Sequence, residues 1–323
     1  MRVIEIADLS RNFKVAKRDG SFMQYMFHRK YTTVEAVKDI SFNIDSGELV
    51  GFIGPNGAGK STTIKMMAGI LVPTTGELKV FDRIPYQNRK LNATNIGVLF
   101  GQRSQLWWDL PVSDTFKLLK KIYKIPDDVF EENTKSYGEI LGIGDFINHP
   151  VRQLSLGQRM RADLCASLLH NPKILFLDEP TIGLDVVVKK QIREMIRGIN
   201  AQKGVTVILT THDMKDIEEI CNRIIMIDKG KIIIDAPMND VKNKFKGSST
   251  ITVVFDKPPT LLELERVENI KLEENGKASI SYSSAVISSA EIVSSLVAQY
   301  KIVDINIKEP EIDDIIRNLY AHQ

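Results

Sequence analysis

Short runs of apolar residues recur along most of the chain and are separated by longer segments with helical periodicity. Continuous apolar runs occur at 49–53, 174–177 and 205–209, a pattern typical of central strands that are buried on both faces of a parallel sheet. Residues 2–8 and 40–44 are also strand-like. Strands that alternate with helices predict an α/β core.

Two segments interrupt this alternation. Residues from about 103 to 165 lack apolar strand runs, so we expect an inserted helical subdomain there. Residues 14–30 combine basic side chains with the apolar cluster 22–27. This composition is typical of an extended hairpin or a short surface helix, and a second interpretation is a contact with lipid headgroups or a membrane partner.

The pattern changes near residue 241. The polar stretch 241–249 predicts a linker, and the chain beyond it, 250–323, has the alternation and helical spacing of a small α/β domain. Ser288 and Glu291 have the spacing of a capping box that opens a helix. The predicted strands and helices of this part, in chain order, are 251–255, 280–282, 292–300, 303–307 and 312–320.

Composition excludes several classes of protein. The 323 residues are 43% hydrophobic and carry a formal net charge of only +2, so no global basic field predicts a nucleic-acid partner. The two cysteines, Cys165 and Cys221, have no pairing or metal-ligand spacing. No run approaches the roughly 18–20 apolar residues of a membrane span, and the start of the chain shows no secretory signal. Any transport function would therefore need a channel supplied by another chain.

A phosphate-binding loop follows the apolar run 49–53. The sequence Gly-x-x-x-x-Gly-Lys-Ser at 54–61 lies between a predicted strand and a predicted helix, which is the context that this motif requires. Its backbone N–H groups can surround phosphate oxygens, Lys60 adds a positive charge, and the Ser61 hydroxyl can bind Mg²⁺. The candidate nucleotide-binding residues of this loop are Gly54, Pro55, Asn56, Gly57, Ala58, Gly59, Lys60, Ser61 and Thr62.

A second acidic element follows the run 174–177. Asp178 and Glu179 come directly after this strand, so parallel pairing would bring both carboxylates beside the phosphate loop. We expect Asp178 to hold Mg²⁺ and Glu179 to act as the general base for an attacking water. The magnesium ligands predicted from the residues are thus Ser61 and Asp178.

The pentapeptide Leu-Ser-Leu-Gly-Gln at 154–158 lies between these two elements. With them, it resembles the signature of the ATP-binding-cassette (ABC) ATPases, which is usually Leu-Ser-Gly-Gly-Gln. The resemblance covers about residues 2–240. It implies a P-loop ATPase core with an antiparallel β subdomain and a helical subdomain, ATP and Mg²⁺ as ligands, and ATP hydrolysis coupled to transport through a separate membrane permease.

The resemblance also implies roles for residues outside the phosphate loop. His212, at the end of the strand-like run 205–211, matches the histidine that contacts the γ-phosphate and the attacking water. Gln102 matches the glutamine that binds Mg²⁺ and water and senses the permease, and Gln105 is a nearby alternative. Asp185 matches a loop that crosses the dimer interface, although it could be an ordinary turn aspartate.

The signature implies a dimer in which two cassettes close head-to-tail around two ATP molecules. Ser155, Gly157 and Gln158 would complete the site of the opposite subunit, and Leu156 replaces the first glycine of the usual sequence while leaving the Ser155 hydroxyl and the Gly157 N–H in place. A homodimer is the prediction, and a heterodimer with a related cassette is the alternative. For the aromatic residue that stacks on adenine, Phe13 is favoured over Tyr31.

The segment 101–111 and the Leu156 variant resemble the exporter branch that includes daunorubicin-type drug exporters, whose cassettes often carry a small C-terminal domain. The resemblance implies export from the cytoplasmic face of the cell membrane. Trp107 and Trp108 are candidates for the groove that receives the permease, with packing inside the helical subdomain as the alternative. The tail would be a regulatory or dimer-stabilising module.

Two other functions are possible for a chain with a phosphate loop. DNA-associated cassettes place a long coiled coil between the loop and the signature, but here Lys60 and Ser155 are only 95 residues apart without a heptad run. A kinase or GTPase would not need the signature, and the base-reading motif of GTPases is absent from the sequence. The sequence therefore favours a transporter ATPase.

Overall fold

The computed structural model describes residues 1–16, 31–100, 104–244, 249–257, 259, 262, 264–273, 276–283 and 286–308. The chain divides into two compact units, Met1–Pro237 and Met238–Gln323.

The first unit contains nine strands within the described residues. They are β1 (Arg2–Ala16), β2 (Tyr31–Asp45), β3 (Leu49–Ile53), β4 (Thr75–Val80), β5 (Ile96–Phe100), β6 (Ile174–Asp178), β7 (Thr206–Thr210), β8 (Arg223–Asp228) and β9 (Lys231–Pro237). Its α-helices, in the same part of the chain, are α1 (Lys60–Met67), α2 (Arg89–Ala93), α3 (Val112–Tyr123), α4 (Asp127–Leu141), α5 (Leu156–Leu168), α6 (Val186–Lys203) and α7 (Met214–Ile220).

A six-stranded sheet forms the centre of this unit, in the order β5-β6-β7-β3-β8-β9. The first five strands of this order pair in parallel, and β9 pairs antiparallel with β8. Strands β3 and β7 are buried along their whole length, which explains why their sequences are continuous apolar runs rather than alternating ones.

A smaller antiparallel sheet, in the order β2-β1-β4, shares a hydrophobic core with the central sheet. Phe42 from β2, Phe52 from β3 and Ile64 from α1 belong to that core. Strands β1 and β2 are longer than the sequence pattern indicates, because they continue as a paired ribbon up to Ala16 and Tyr31. The predicted apolar and basic cluster between them lies outside the described residues.

The helical subdomain expected at about 103–165 consists of α3, α4 and α5 with a short 3₁₀ turn at Val151–Gln153. Phe116, Tyr137 and Phe146 are buried in this part of the unit. The α/β fold class with an antiparallel sheet and an inserted helical subdomain is therefore confirmed.

The second unit contains a four-stranded antiparallel sheet in the order β11-β12-β10-β13. Ile251, Val253, Ile280 and Ile292 are in its core, and Ser288 and Glu291 form the predicted capping box. The elements are α8 (Met238–Lys244), β10 (Ser249–Phe255), β11 (Asn269–Leu272), β12 (Lys277–Tyr282), α9 (Ser289–Gln299) and β13 (Ile302–Lys308). The helix predicted at 312–320 lies outside the described residues.

The linker predicted at 241–249 needs a correction. Residues 241–244 are the last part of α8, and β10 begins at Ser249. Met238 and Val241 are buried and three positions apart, so they lie on one side of a helical turn, a short stripe that the many polar residues of this stretch conceal in the sequence.

Candidate active site

Three neighbouring strands bring the candidate site together. Strand β7 lies between β3 and β6 and pairs in parallel with both. The carboxyl ends of parallel strands meet at one edge of the sheet. The phosphate loop after β3, Asp178 at the end of β6 and Thr210 at the end of β7 therefore converge there.

Two positions of the phosphate loop have a backbone conformation that residues with a Cβ atom rarely adopt. Gly57 and Gly59 have φ values of 81° and 114°, in the left-handed region where glycine carries no steric cost. A Cβ atom on Gly59 would lie 2.6 Å from the backbone oxygen of Ala36. Helix α1 begins at Lys60 directly after this turn, so the free N–H groups of its first turn face the loop, as an anion-binding site requires.

Lys60 lies buried inside the loop. Its ammonium donates hydrogen bonds to the backbone oxygens of Gly54 and Pro55, the latter at 3.0 Å. Burial lowers the pKa of Lys60, and the negative charges of Glu179 and Asp178 oppose that shift. The backbone carbonyl oxygens and the nearby carboxylates therefore stabilise the positive charge of Lys60. A phosphate could replace the carbonyl oxygens as the hydrogen-bond partner of the ammonium.

Asp178 accepts two hydroxyl contacts at the sheet edge. The Ser61 hydroxyl lies 3.3 Å from one carboxylate oxygen, and the Thr210 hydroxyl lies 2.5 Å from the other. A carboxylate beside a hydroxyl is an oxygen donor set that suits Mg²⁺. The described residues contain no cluster of three or more His, Cys, Asp or Glu side chains that could hold a metal.

Glu179 and His212 form the most direct polar pair of the site. The His212 Nε2 atom lies 2.7 Å from the Glu179 Oε1 atom. Glu179 has a φ of 56°, a conformation that non-glycine residues rarely adopt and that concentrates at functional sites. Its N–H donates to the backbone oxygen of Thr210 at 2.9 Å, which ties it to the strand that leads to His212.

A buried polar cluster behind this pair is absent from the sequence-based prediction. Asp216 is fully buried and accepts hydrogen bonds from Thr181, Thr211 and Arg193. Thr211 immediately precedes His212, and Thr181 follows Glu179 by two positions. In the sequence, only the two threonines before His212 pointed to this cluster. The contacts of Asp216 with Thr181 and Arg193 join residues that are far apart in sequence.

The signature segment opens α5. Ser155 is the N-cap residue, and it forms a capping box in which its hydroxyl accepts from the Gln158 N–H at 3.2 Å and its own N–H donates to the Gln158 side chain. Leu156 is the first helical residue and is partly exposed. A Cβ on Gly157 would lie 2.9 Å from a Val188 methyl group. The leucine variant is thus accommodated, whereas the second glycine is required by close packing.

Asp185 is the N-cap residue of α6, where its carboxylate accepts from the Val188 N–H at 2.9 Å. The two residues after it, Val186 and Val187, are strongly exposed. An exposed apolar pair at a helix start is unusual for a surface that stays in water. The capping bond alone is a sufficient structural reason for the aspartate.

Gln102 lies outside the described residues. Its alternative, Gln105, is held by α5 through two bonds: its backbone N–H donates to the Asp163 carboxylate at 3.0 Å and its side-chain amide donates to the Asp163 backbone oxygen at 3.0 Å. These two bonds hold Gln105 against helix α5.

The ribbon register separates the two candidate adenine-binding aromatics. Phe13 pairs with Val34, and Tyr31 pairs with Ala16 at the far end. Ala36 touches the phosphate loop, so at about 3.3 Å per residue Phe13 lies about 7 Å along the ribbon from that contact and Tyr31 about 16 Å. Arg11 covers one face of the Phe13 ring at 4.7 Å.

Comparison with known proteins places this geometry in context. Residues 37–182 match the profile of the ABC transporter family. The chain is 35% identical over 214 residues to the probable multidrug ABC transporter ATP-binding protein YbhF of Escherichia coli (strain K12), which covers 66% of this chain and 36% of YbhF. It is 30% identical over 270 residues to the methionine import ATP-binding protein MetN 1 of Listeria monocytogenes serotype 4b (strain F2365), which covers 81% of this chain and 75% of that protein. The chain therefore spans about a third of YbhF.

A solved structure shows the same fold. The dimeric ATP-binding cassette MJ0796, in a post-hydrolysis state bound to ADP and Pi, superposes with a TM-score of 0.61 at 25% sequence identity. The match covers 73% of this chain and 98% of the cassette.

Proposed function

The chain belongs to the ABC transporter family of ATP-binding proteins, and on that premise we propose that it is the subunit that binds and hydrolyses ATP to drive transport through a separate permease. The observation that carries the proposal is the pairing of Glu179 with His212 beside a buried Lys60 and the Ser61–Asp178 hydroxyl–carboxylate pair. These groups surround one sheet edge and supply the charges that phosphoryl transfer needs.

The proposed mechanism assigns each group a task at the γ-phosphate. Lys60 exchanges its loop carbonyl partners for phosphate oxygens, and the N–H groups at the start of α1 bind the same anion. Glu179 accepts a proton from the attacking water, and His212 keeps the Glu179 carboxylate oriented through their 2.7 Å contact. A magnesium ion held by Ser61, Asp178 and Gln102 would neutralise the charge of the phosphates.

Phe13 is proposed to stack on adenine, and Tyr31 is the alternative. The support is the position of Phe13 nearer to the phosphate loop and the arginine on one ring face, which leaves the other face for a base. Base–aromatic stacking contributes roughly 1–3 kcal/mol, so replacing Phe13 by alanine should weaken ATP binding more than replacing Tyr31.

Dimerisation around ATP is proposed for the surface that carries the signature and Asp185. Helix α5 begins at this surface with Ser155, whose hydroxyl can donate to a phosphate while it accepts from Gln158. The exposed Val186 and Val187 would be covered by the second cassette. A homodimer is proposed because the chain carries both halves of the composite site, the phosphate loop and the signature.

Permease binding is proposed for an apolar surface of the helical subdomain. Trp107 and Trp108 are 42% and 54% exposed, and Leu118 and Ile122 are exposed one turn apart on α3. Exposed tryptophans are favoured anchors of protein contacts. Among the residues that the structure describes, no helix has the length and apolar character needed to cross a membrane, and we propose a peripheral position at the cytoplasmic face.

Export is the proposed direction of transport. Its support is the resemblance of segment 101–111 and of the Leu156 variant to drug exporters, together with the similarity to YbhF. MetN 1, an import protein by name, is the counterexample, and cargo accumulation inside inverted vesicles would distinguish the two directions. The domain of residues 250–323 is proposed as a regulatory or dimer-stabilising module, and coupling that survives deletion of 245–323 would contradict this role.

The decisive experiment measures ATP hydrolysis by the purified chain and by Glu179→Gln. We expect the variant to bind ATP and to dimerise by light scattering, with turnover reduced roughly 10²- to 10⁴-fold, as expected for loss of a general base. Glu194→Gln, which removes an exposed carboxylate from α6, is the matched control. Turnover at the wild-type rate in Glu179→Gln would exclude Glu179 as the base.

The permease contact has its own test. Trp107→Ala with Trp108→Ala should abolish co-purification of a multi-span membrane protein from detergent-solubilised membranes while leaving ATP hydrolysis by the isolated chain unchanged. Ile70→Ala, an exposed apolar residue outside the helical subdomain, is the control. Recovery of the same membrane protein with the double variant would contradict docking at this surface.

A further inference from the structure

Asp216 occupies a position between the two loops that carry the proposed catalytic pair. It lies on α7 and is 0% exposed. One of its carboxylate oxygens accepts hydrogen bonds from the Thr181 hydroxyl and from the Thr211 hydroxyl, the latter at 3.0 Å. Both threonines are buried as well, so water cannot replace these bonds.

The other carboxylate oxygen is held from the opposite side. Arg193, on α6, donates to it from Nη1 at 2.8 Å and donates from Nε to Glu219 at 2.7 Å. These two charge-assisted bonds orient the guanidinium and hold one oxygen of the Asp216 carboxylate. The other oxygen is thereby left facing the two threonines.

Each threonine is close in sequence to one member of the catalytic pair. Thr181 follows Glu179 by two positions, and its backbone oxygen also accepts from the Leu184 N–H at 3.2 Å. Thr211 precedes His212, and its hydroxyl accepts from the Asp213 N–H at 3.0 Å. A single carboxylate oxygen thus connects the loop after β6 with the loop after β7.

The backbone at Glu179 needs such a support. Its φ of 56° belongs to a sparsely populated region, and strained residues keep such a conformation only when the surrounding structure determines it on both sides. The N–H of Glu179 is bound to Thr210 on one side. The bond from Thr181 to Asp216 holds the other side.

We propose that Asp216 is a positioning residue that joins the loop of Glu179 to the loop of His212 and so maintains the 2.7 Å contact between these two side chains. The inference rests on the proposed ATP hydrolysis. Asp216 is fully buried, and it acts on the pair through its hydrogen bonds with Thr181 and Thr211.

The test removes the two hydroxyls and leaves the buried ion pair intact. Removing Asp216 itself would take one of its two carboxylate partners from the buried Arg193 guanidinium and would destabilise the region, so a loss of activity would not report on positioning. Thr181→Val and Thr211→Val keep volume and branching, and Thr181→Ser and Thr211→Ser keep the hydroxyl. Thr206→Val is the matched control, because Thr206 is buried on the same strand as Thr210, at its other end, and its hydroxyl accepts one backbone N–H from Gly47.

We expect each valine variant to lower kcat about tenfold, with KM for ATP within about twofold, because displaced reacting groups reduce turnover more than binding. The serine variants should recover wild-type kcat. The Thr206→Val control should lower the melting temperature without lowering kcat. The double valine variant should be no slower than either single one, because breaking one bond already disconnects the loops.

Three results would overturn the inference: wild-type kcat in either valine variant, serine variants as slow as the valine variants, or reductions that multiply to about a hundredfold in the double variant. Absence of hydrolysis by the wild-type chain would instead refute the proposed function, so the two failures are distinguishable.

Discussion

Asp163 should make the stability of the first unit depend on pH. It lies on α5, is 4% exposed, and accepts the Gln105 N–H that anchors the segment before the two tryptophans. Burial raises the pKa of Asp163 from 3.8 to about 6, and hydrogen bonds from Ser104 and Gln105 and the charge of Arg159 oppose that shift. Among the described residues, the charge of Arg159 does not offset the desolvation of this carboxylate.

The sign follows from proton binding. The folded chain binds the Asp163 proton more tightly than the unfolded chain does. The stabilisation that comes from this proton is therefore fully present below pH 3.8 and is lost as the pH rises from 3.8 to about 6. The shift of about two pKa units corresponds to about 3 kcal/mol at 1.36 kcal/mol per unit. Asp163→Asn removes this dependence, because asparagine is neutral throughout and can still accept from Gln105.

Urea unfolding between pH 4 and pH 7 measures this difference. Trp107 and Trp108 are the two tryptophans of the chain, and both lie in the first unit next to the segment that Asp163 anchors, so their fluorescence reports its unfolding. Because part of the effect is already lost at pH 4, the free energy of unfolding of the wild type should fall relative to that of Asp163→Asn by about 2.4 kcal/mol across this range. Asp109→Asn, which removes an exposed carboxylate, controls for the loss of one negative charge.

A difference between wild type and Asp163→Asn that stays constant from pH 4 to pH 7 would refute the reasoning. So would a difference that grows in favour of the wild type as the pH rises, because it would mean that hydrogen bonds outweigh burial at this carboxylate.

Two further predictions concern the phosphate loop and the cysteines. Gly59→Ala should raise the Kd for a fluorescent ATP analogue at least about tenfold, because its Cβ would collide with the Ala36 backbone oxygen at 2.6 Å. Gly144→Ala is the control, since its Cβ would meet no atom within 4 Å. Equal affinities of the two variants would contradict the steric argument. Cys165 and Cys221 should react with a disulfide reagent only after unfolding, because burial raises the pKa of both thiols and shields them; rapid labelling of the native chain would show that this part of the core opens.

Local sequence patterns were sufficient for the fold class and for the phosphate loop. The run 49–53 followed by a glycine-rich turn specifies strand, loop and helix start within a dozen residues, since a strand buried on both faces must be continuously apolar and the turn needs residues that tolerate positive φ. The same holds for the capping box that Ser288 and Glu291 form. Segment 241–244 was predicted incorrectly because the two-residue stripe of Met238 and Val241 is too short to stand out among polar neighbours.

The tertiary structure alone decided which distant residues meet. Asp216 and Thr181 are 35 positions apart and are joined by a hydrogen bond that only the folded chain forms, and the sequence contains no periodic signal for one buried carboxylate. Gly59 must be glycine partly because the ribbon brings Ala36 against it. The amino-acid sequence by itself determined the buried central strands, the phosphate loop and the chemistry that they carry, since these depend on neighbours along the chain. Contacts between elements depend on packing and are set only when the whole unit folds.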